Sequence, residues 1–405
     1  MNRQLNGRPR RPSLSSMPPR RLTMPRTWLA LLWLASMWLV STPVIAQGPP
    51  DAQLHYSPQP TSDANIASRL VIHGALDVPL IEPLLDDFHH RYPHIGLTYR
   101  NYTTLEIYRT FMANAGEVGT NGTTADVVMS SAMPWQYRLA NDGYAQPLHS
   151  EPARNWPDWA RWRQELFGIT FEPIVIVYRR ELAERFGAVE SHADLLALLE
   201  RESEALHGRV VTYDPAISGV GYTYAIEEAR LSPRYWELIA ALGSVDAELV
   251  GTTREMLVGL AEGRYLIGYN LLGSYARGFI RDHPELVIAV PTDYALVMQR
   301  LAFIARSADN PRAATQFLNY LLSEAGQQVI SEQTPLGAVH PALNGNGSAS
   351  ALRARLGEAL RPIPLSPGLL ATLDNLKRKA LLSRWMREFQ RGAATQNMPP
   401  RRETP

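Results

Sequence analysis

The chain has 405 residues, of which 45% are hydrophobic and 20% are charged. This is the composition of an ordinary globular protein, and the length suggests about two or three domains. The chain contains no cysteine, which excludes disulfides, thiolate metal sites and cysteine nucleophiles. Forty Lys and Arg stand against 39 Asp and Glu, so the net charge by itself points to no particular class of partner.

The first 46 residues have the pattern of a secretory signal peptide. They carry seven Arg and no acid, followed by an apolar run over residues 28–40 and a small-x-small end. The run is shorter than the ~20 residues that a membrane-spanning helix needs, although an uncleaved anchor remains the alternative. We therefore expect cleavage near Ala46 and a periplasmic protein, with Arg20 and Arg21 leaving twin-Arg export open.

Without this leader the chain carries 33 Lys or Arg against 39 Asp or Glu. The remaining sequence has no basic run with interleaved aromatic residues, so we expect no nucleic-acid partner. Residues 47–68 are polar and rich in Pro, and are interpreted as a flexible arm without a fold of its own.

From residue 69 onwards, strand and helix patterns alternate. Apolar strands are predicted at residues 70–73, 95–99 and 125–129, with helical spacing of apolar residues between them. Such alternation predicts a parallel sheet whose ligands lie beyond the carboxyl ends of its strands. The polar or small residues at that edge are Gly74, Thr103, Thr104, Ser130 and Ser131. Either Thr is a candidate cap of the next helix, and Glu106 lies close behind both, as in a capping box.

Two clusters in this part of the chain have alternative interpretations. Three His within residues 89–94 could suggest a metal, but adjacent helical residues point in different directions and no carboxylate completes a set. We therefore expect no metal site. Three Trp within residues 156–162 could line a sugar site, but their spacing favours a packed helix face.

A second α/β unit follows an apolar strand over residues 168–179, which is predicted to be buried on both sides. Within it, residues 210–222 form a short strand, a turn at Pro215 and a helix capped by Ser218. Glycines in the first turn expose backbone N–H groups that attract anions, although a plain strand–turn–helix corner is the alternative.

The remaining pattern continues with a strand over residues 265–269, a helix from Gly273 and a strand over residues 286–291. A C-terminal helix is predicted over residues 365–391, and residues 392–405 are expected to be disordered. The sequence has no GxSxG, HExxH, GxxxxGK or strand-linked GxGxxG motif. The candidate groups suit binding rather than catalysis, so we expect neither an enzyme nor a cofactor.

Several segments carry a family resemblance over residues 69–340. They are LVIHGALDVPLIEPLLDDFHHRYP, TADVVMSSA, FEPIVIVYRREL, TYDPAISGVGY, IGYNLLGSYA and ADNPRAATQFLNYLLSEAGQQVI. The chain resembles ABC-transporter periplasmic solute-binding proteins with the type II fold, in the ferric-iron and organophosphate branch. Residues 361–389 are similar to the tail of a subgroup related to the phosphoglycerate-transport regulatory protein.

The resemblance implies a two-lobed α/β fold with two hinge crossings and a C-terminal helical extension. Lobe one would contain residues 69–168 and 296–345, and lobe two residues 172–290. The crossings would lie in residues 168–179 and 291–304, and the solute would bind between the lobes.

The resemblance also implies site residues. Ser130 and Ser131 would bind from lobe one. The remaining candidates are Ser218, Gly219 and Gly221 from lobe two, Tyr269 and Asn270 opposite them, Tyr178 facing the cleft, and Thr170 and Glu172 on the crossing.

One departure from the family pattern concerns the ligand. Ferric-binding members carry neighbouring tyrosines, whereas here Tyr269 is followed by Asn270 and two Leu. This favours a small organic anion, phosphorylated or carboxylated, with iron as the runner-up. The expected partner of the monomer is an ABC permease; the alternative is a membrane sensor kinase, with the protein acting as a ligand sensor.

Overall fold

The computed structural model describes residues 50–59, 68–114 and 124–396. The predicted signal peptide lies outside these ranges, as do residues 397–405 of the predicted disordered tail. The strands within them are β1 (Ala52–Tyr56), β2 (Ser68–Gly74), β3 (Ile95–Asn101), β4 (Val127–Ser130), β5 (Ala145–Gln146), β6 (Arg161–Trp162), β7 (Leu166–Gly168), β8 (Glu172–Arg179), β9 (Val210–Tyr213), β10 (Glu248–Val250), β11 (Ile267–Leu272), β12 (Leu286–Ala289), β13 (Ala295–Met298), β14 (Leu301–Ala305) and β15 (Leu360–Pro362).

Helices alternate with many of these strands. The α-helices of the described ranges are α1 (Val78–Arg91), α2 (Thr104–Asn114), α3 (Met133–Asn141), α4 (Glu151–Asn155), α5 (Arg180–Phe186), α6 (His192–Arg201), α7 (Gly219–Leu231), α8 (Tyr235–Ser244), α9 (Thr253–Ala261), α10 (Gly273–Phe279), α11 (Pro311–Leu321), α12 (Glu324–Gln333), α13 (Ala349–Leu356), α14 (Gly368–Thr372) and α15 (Asn375–Gln396). Of the helices in the described residues, none is both long enough and apolar enough to cross a membrane.

The sheet of lobe one has eight strands, in the order β1-β3-β2-β4-β14-β7-β6, with β5 also paired to β14. Strand β2 is parallel to both β3 and β4, as the alternating pattern predicts. Helices α1 and α11 pack together over this sheet, with Phe88 and Phe317 in edge-to-face contact at 4.9 Å. Because β2 and β3 are parallel and in register, Gly74 and Asn101 end side by side at one edge.

The sheet of lobe two has seven strands, in the order β10-β9-β11-β8-β13-β15, with β12 also paired to β8. Strand β9 is parallel to β10 and β11, whereas β8 is antiparallel to its three partners. Seven of the eight residues of β8 are buried, as its unbroken apolar sequence predicts.

The chain crosses between the two sheets at two hinge positions. Strand β7 belongs to lobe one and β8 to lobe two, so the first crossing is at residues 169–171. The second is at Gln299 and Arg300, between β13 and β14. The predicted long strand over residues 168–179 is therefore two strands with a crossing between them. This arrangement confirms the two-lobed α/β fold.

The prediction of a flexible arm without structure over residues 47–68 is wrong for part of that segment. Residues Ala52–Tyr56 form β1, which pairs antiparallel with β3 along its whole length. Leu54 and Tyr56 alternate with exposed residues and pack against the core of lobe one. This short period-two pattern was hidden by the Pro and polar residues around it.

The tryptophan cluster is packed, but not on one helix face as predicted. Helix α4 ends at Asn155, since Trp156 is extended in front of Pro157. Trp156 is 2% exposed, Trp159 packs against lobe-one residues, and Trp162 lies in β6.

The C-terminal region also differs from the single helix predicted over residues 365–391. It consists of α14 and α15, separated by a two-residue joint. Helix α15 continues to Gln396, so the prediction of disorder is wrong for residues 392–396. Strand β15 precedes them and pairs in parallel with β13 at the edge of the lobe-two sheet.

Candidate functional site

A cavity of about 820 Å³ lies between the two lobes. Its lobe-one wall is formed by the end of β2, the end of β3 and the first turns of α1 and α2. Its lobe-two wall is formed by β9, the start of α7, the start of α9 and Tyr275 of α10. The polar side chains that line it are Asp51, Asp77, Asn101, Tyr102, Thr103, Thr104, Glu106, Arg109, Tyr213, Thr252, Thr253, Arg254, Glu255 and Tyr275.

The start of α2 is a capping box, as predicted. Thr103 Oγ1 accepts a hydrogen bond from the Glu106 N–H at 3.4 Å, and the Glu106 carboxylate accepts from the Thr103 N–H at 3.2 Å. Of the predicted binding residues, Thr103 and Thr104 are the two in the described chain that line the cavity.

The two lobes touch across the cleft. The Gly219 N–H donates to Thr104 Oγ1 at 3.2 Å, and Arg254 Nη1 lies 3.5 Å from Asp77 Oδ2. The Tyr275 hydroxyl donates to Asp77 Oδ1 at 3.1 Å. Each of these contacts joins one lobe to the other, so the walls of the cavity are held in a defined relative position.

The start of α7 has the predicted cap but not the predicted exposure. Ser218 Oγ accepts from the Gly221 N–H at 3.2 Å, and Ser218 is 2% exposed. A β-carbon at Gly221 would press on the Tyr213 side chain, so this glycine permits close packing. The hydroxyl of Ser218 and the N–H of Gly221 therefore bind each other rather than facing the cavity.

The predicted residues of lobe one behind α2 are buried. Ser130 Oγ accepts from the Ala132 N–H at 3.2 Å, and Ser131 is 1% exposed. The Tyr99 ring fills the space beside Gly74, and the cavity is lined by the next residue, Ala75.

The predicted crossing residues form a buried ionic cluster behind the cavity. Glu172 Oε1 accepts from the Thr170 hydroxyl at 2.7 Å and lies 2.9 Å from Arg300 Nε, an ion-pair distance without good hydrogen-bond angles. Ser274 of α10 donates to the other Glu172 oxygen, and Arg300 Nη1 donates to the Ala75 carbonyl at 2.6 Å. The cluster therefore connects both hinge crossings to both walls of the cleft.

The predicted tyrosines of lobe two lie elsewhere in that lobe. Tyr178 is buried in the lobe-two core on β8. The Tyr269 hydroxyl donates to Glu228 Oε2 at 2.5 Å, and Asn270 Nδ2 donates to the same oxygen at 3.0 Å. Burial and then the Glu228 charge raise the pKa of Tyr269 well above its usual value. Tyr269, Asn270 and Glu228 form an internal network with His192, whose Nε2 lies 3.3 Å from Glu228 Oε1.

The charges of the cavity lining are mixed. Burial raises the pKa of Asp51, and the charges of Glu106 and Asp77 raise it further, so carboxylates are close together on the lobe-one side. Arg109 projects from α2 and Arg254 from α9, so each lobe contributes one guanidinium. Among the described residues, no group of three or more His, Cys, Asp or Glu is placed to hold a metal ion.

Sequence reasoning missed most of the lobe-two wall. Thr252 and Glu255 form a capping box in which the Thr252 N–H donates to Glu255 at 2.9 Å, and its T-x-x-E spacing is visible in the sequence. The short β10 before it was not recognised as a strand. Asp77 could have been found because it lies in the three-residue turn between β2 and α1, immediately before the helix.

The comparisons with known proteins agree with this geometry. The sequence profile of the family described as bacterial extracellular solute-binding protein matches residues 78–333. No curated protein matches the chain. Among solved structures, the substrate binding protein of an ABC transporter from Agrobacterium tumefaciens is 33% identical with a TM-score of 0.77, and the match covers 84% of this chain and 98% of that one.

More distant structures share the fold. Iron-bound HitA from Pseudomonas aeruginosa is 17% identical with a TM-score of 0.60, covering 79% of this chain and 99% of that one. AfuA from Actinobacillus pleuropneumoniae, with exogenous fructose-6-phosphate bound, is 16% identical with a TM-score of 0.64, and the match covers 80% of this chain and 99% of that one. The family profile and the Agrobacterium tumefaciens structure confirm the prediction of a binding protein rather than an enzyme. The chain belongs to the bacterial extracellular solute-binding proteins, with the two-lobed fold of ABC-transporter substrate-binding proteins.

Proposed function

We propose that the cleft captures a small organic anion that also carries hydroxyl groups, and that the protein delivers it in the periplasm to the permease of an ABC importer. A phosphorylated or carboxylated metabolite has this chemistry. Delivery of a small solute to a permease is the role of this family; the class of solute is our inference from the cavity.

The observation that carries the proposal is the presence of one arginine from each lobe in the same cavity. Arg109 lies on α2 of lobe one and is exposed, and Arg254 lies on α9 of lobe two. No hydrogen-bond partner of Arg109 is found among the described residues. Guanidinium groups bind carboxylate and phosphate oxygens with paired hydrogen bonds, and an anion between the lobes would interact with both arginines.

Two helix starts support the same conclusion. Both α2 and α9 begin at the cavity with capping boxes, at Thr103 and Thr252. The first turn of a helix carries partial positive charge, which favours an anionic group nearby. Thr104 and Thr253 also line this cavity.

The carboxylates of the lining suit the hydroxyl groups of such a ligand. Glu106 and Glu255 already accept backbone hydrogen bonds in the two capping boxes, and Asp77 accepts from the Tyr275 hydroxyl. Asp51, whose pKa is raised, also lines the cavity. Carboxylate oxygens are acceptors only, so they pair with ligand hydroxyls while the arginines pair with the acidic group.

Iron fits this lining less well. A ferric site in this family uses phenolates, and burial raises the pKa of both Tyr213 and Tyr275, which disfavours the phenolate form. The Tyr275 hydroxyl also pairs with Asp77, and the Tyr213 hydroxyl with Thr253.

The test is a thermal-shift screen followed by calorimetry on two variants. The screen contains sugar phosphates, phosphoglycerates, di- and tricarboxylates, neutral sugars, amino acids and ferric citrate, since a ligand that binds only the folded state raises the melting temperature. Calorimetry then uses the anion that raises the melting temperature most. Arg109→Gln and Arg254→Gln should each weaken its binding about 10- to 100-fold, because a hydrogen bond to a charged group contributes about 1.5–3 kcal/mol.

Arg312→Gln is the matched control, because Arg312 is exposed at the start of α11 and does not line the cavity. A shift caused only by neutral sugars or amino acids would refute the proposal. Full affinity in Arg109→Gln would refute it as well, and a visible phenolate-to-iron absorption band would favour the ferric alternative.

A further inference from the structure

The C-terminal segment 368–396, which we call the clasp, contacts both lobes. Strand β15 lies in the lobe-two sheet beside β13. Helix α14 then packs against α3 of lobe one, and α15 packs along α8 of lobe two. The chain therefore spans the two lobes again, in addition to the two hinge crossings.

Leu373, at the joint between α14 and α15, lies in a hydrophobic cluster made by three parts of the chain. Leu105 and Trp135 come from lobe one, and Tyr222 and Ile226 come from α7 of lobe two. Leu373 is 8% exposed, and the Trp135 and Tyr222 rings meet edge to face at 5.5 Å. Moving the lobes apart would expose this apolar surface to water, which is unfavourable.

The clasp also bonds directly to α7. The Tyr222 hydroxyl donates to the Thr372 carbonyl at 2.5 Å, and the Arg378 guanidinium lies 5.3 Å from the centre of the Tyr222 ring. Helix α7 is the element whose first residue, Gly219, bonds Thr104 across the cleft. The clasp therefore contacts the lobe-two helix that forms part of the cleft wall.

Helix α15 is firmly attached to lobe two. Trp385 Nε1 donates to the Tyr235 hydroxyl at 3.1 Å. Gly243 packs against the Phe389 carbonyl and Gly392 against the Ala240 carbonyl, so closely that a β-carbon at either glycine would overlap the facing oxygen. Such close backbone contact leaves little room for α15 to slide on α8.

The joint between α14 and α15 is short and capped. Asp374 Oδ1 accepts from the N–H groups of Leu376 at 3.1 Å and Lys377 at 3.0 Å. Because only two residues separate the helices, the linker can extend little if α15 moves away with lobe two while α14 stays packed on lobe one.

We propose that Thr372 and Leu373 are positioning residues for solute binding: through them the clasp holds α7 against α2 and α3 and stabilises the closed cleft. This inference concerns the equilibrium between open and closed lobes and holds for any solute. Removing the contact should shift the lobes towards the open form without unfolding either of them.

The experiment measures the distance between the lobes in full-length protein without added solute. Because the chain has no Cys, nitroxide labels can be placed only at introduced residues. Gln333→Cys on α12 of lobe one and Glu184→Cys on α5 of lobe two are exposed sites. Pulsed electron–electron double resonance then gives the distribution of distances between the two labels, and so between the lobes.

We expect one short distance in the parent protein and a longer population in Leu373→Ala, with the closed-to-open ratio falling about tenfold or more. Tyr222→Phe, which loses the hydrogen bond and keeps the ring, should give a smaller shift in the same direction. Leu373→Met should restore the parent distribution. The matched control is Leu376→Ala, because Leu376 is 79% exposed three residues further along.

A parent-like distribution in both Leu373→Ala and Tyr222→Phe would overturn the proposal. So would an equal shift in Leu376→Ala, or a lower free energy of unfolding in Leu373→Ala with unchanged lobe distances. Because no solute is added, these results stand apart from the ligand screen, which can fail without affecting them.

Discussion

Raising the pH from about 6 to about 10 should destabilise lobe two through a single imidazole. His192 Nδ1 lies 2.9 Å from Asp293 Oδ1, and its Nε2 lies 3.3 Å from Glu228 Oε1. The ring stacks on Tyr294 at 3.9 Å. Burial disfavours the imidazolium, but the hydrogen bonds and charges of Asp293 and Glu228 outweigh it and raise the pKa of His192 to about 9.

The magnitude follows from the difference between the folded and unfolded states. An unfolded His has a pKa of about 6.5, so the folded value is higher by about 2.5 units, or about 3 kcal/mol. Because the folded pKa of His192 is the higher one, this stabilisation is fully present below about pH 6.5 and is lost as the pH rises through about 9. The free energy of unfolding should fall by about this amount over that range.

Urea unfolding at a series of pH values, followed by tryptophan fluorescence, measures this change. His192→Gln should be less stable at neutral pH and should show little further loss up to about pH 9.5. His207→Gln is the matched control, since His207 is exposed in the same lobe. Equal pH dependence in the parent protein and in His192→Gln would refute the reasoning.

Two further substitutions test the packing and the hinge. Gly392→Ala should lower the free energy of unfolding by about 1–3 kcal/mol, because its β-carbon would overlap the facing carbonyl of α8. Gly345→Ala is the control and should change little, because the space around Gly345 is open. Equal effects of the two substitutions in urea unfolding would contradict this. Glu172→Gln should cost about 3–5 kcal/mol by leaving the buried Arg300 charge without its partner, and an unchanged urea midpoint would show that the pair contributes nothing.

Much of the fold could be predicted because its signals are local. The apolar run of β8 and the helical spacing of Phe317 and Leu321 in α11 require only neighbouring residues to be recognised. The cap Ser218 was identified for the same reason, and the cap of α2 was narrowed to Thr103 or Thr104, of which Thr103 makes the bond. Strand β1 was missed because its short period-two pattern is surrounded by Pro and polar residues.

The site was harder to predict, because a cap and a binding group use the same residue types. The hydroxyl that makes Ser218 recognisable as a cap is occupied by the Gly221 N–H. In β11, a bulge between Gly268 and Leu271 shifts the register, and Asn270 has a φ of +67°. That irregularity accompanies the contact of Asn270 with Glu228, and a period-two pattern does not reveal it.

The groups that best explain anion capture come from residues far apart in the chain. Arg109 and Arg254 each lie in or near the first turns of a helix that starts at the cleft, and neither belongs to a motif. They face one cavity only because the hinge crossings and the contact between Thr104 and Gly219 set the distance between the lobes. A side chain at Gly219 would press on lobe one at 3.0–3.2 Å, so this glycine permits the close approach of the two walls. In a two-lobed binding protein, residues that fix the separation of the lobes therefore determine the site as much as residues that touch the solute.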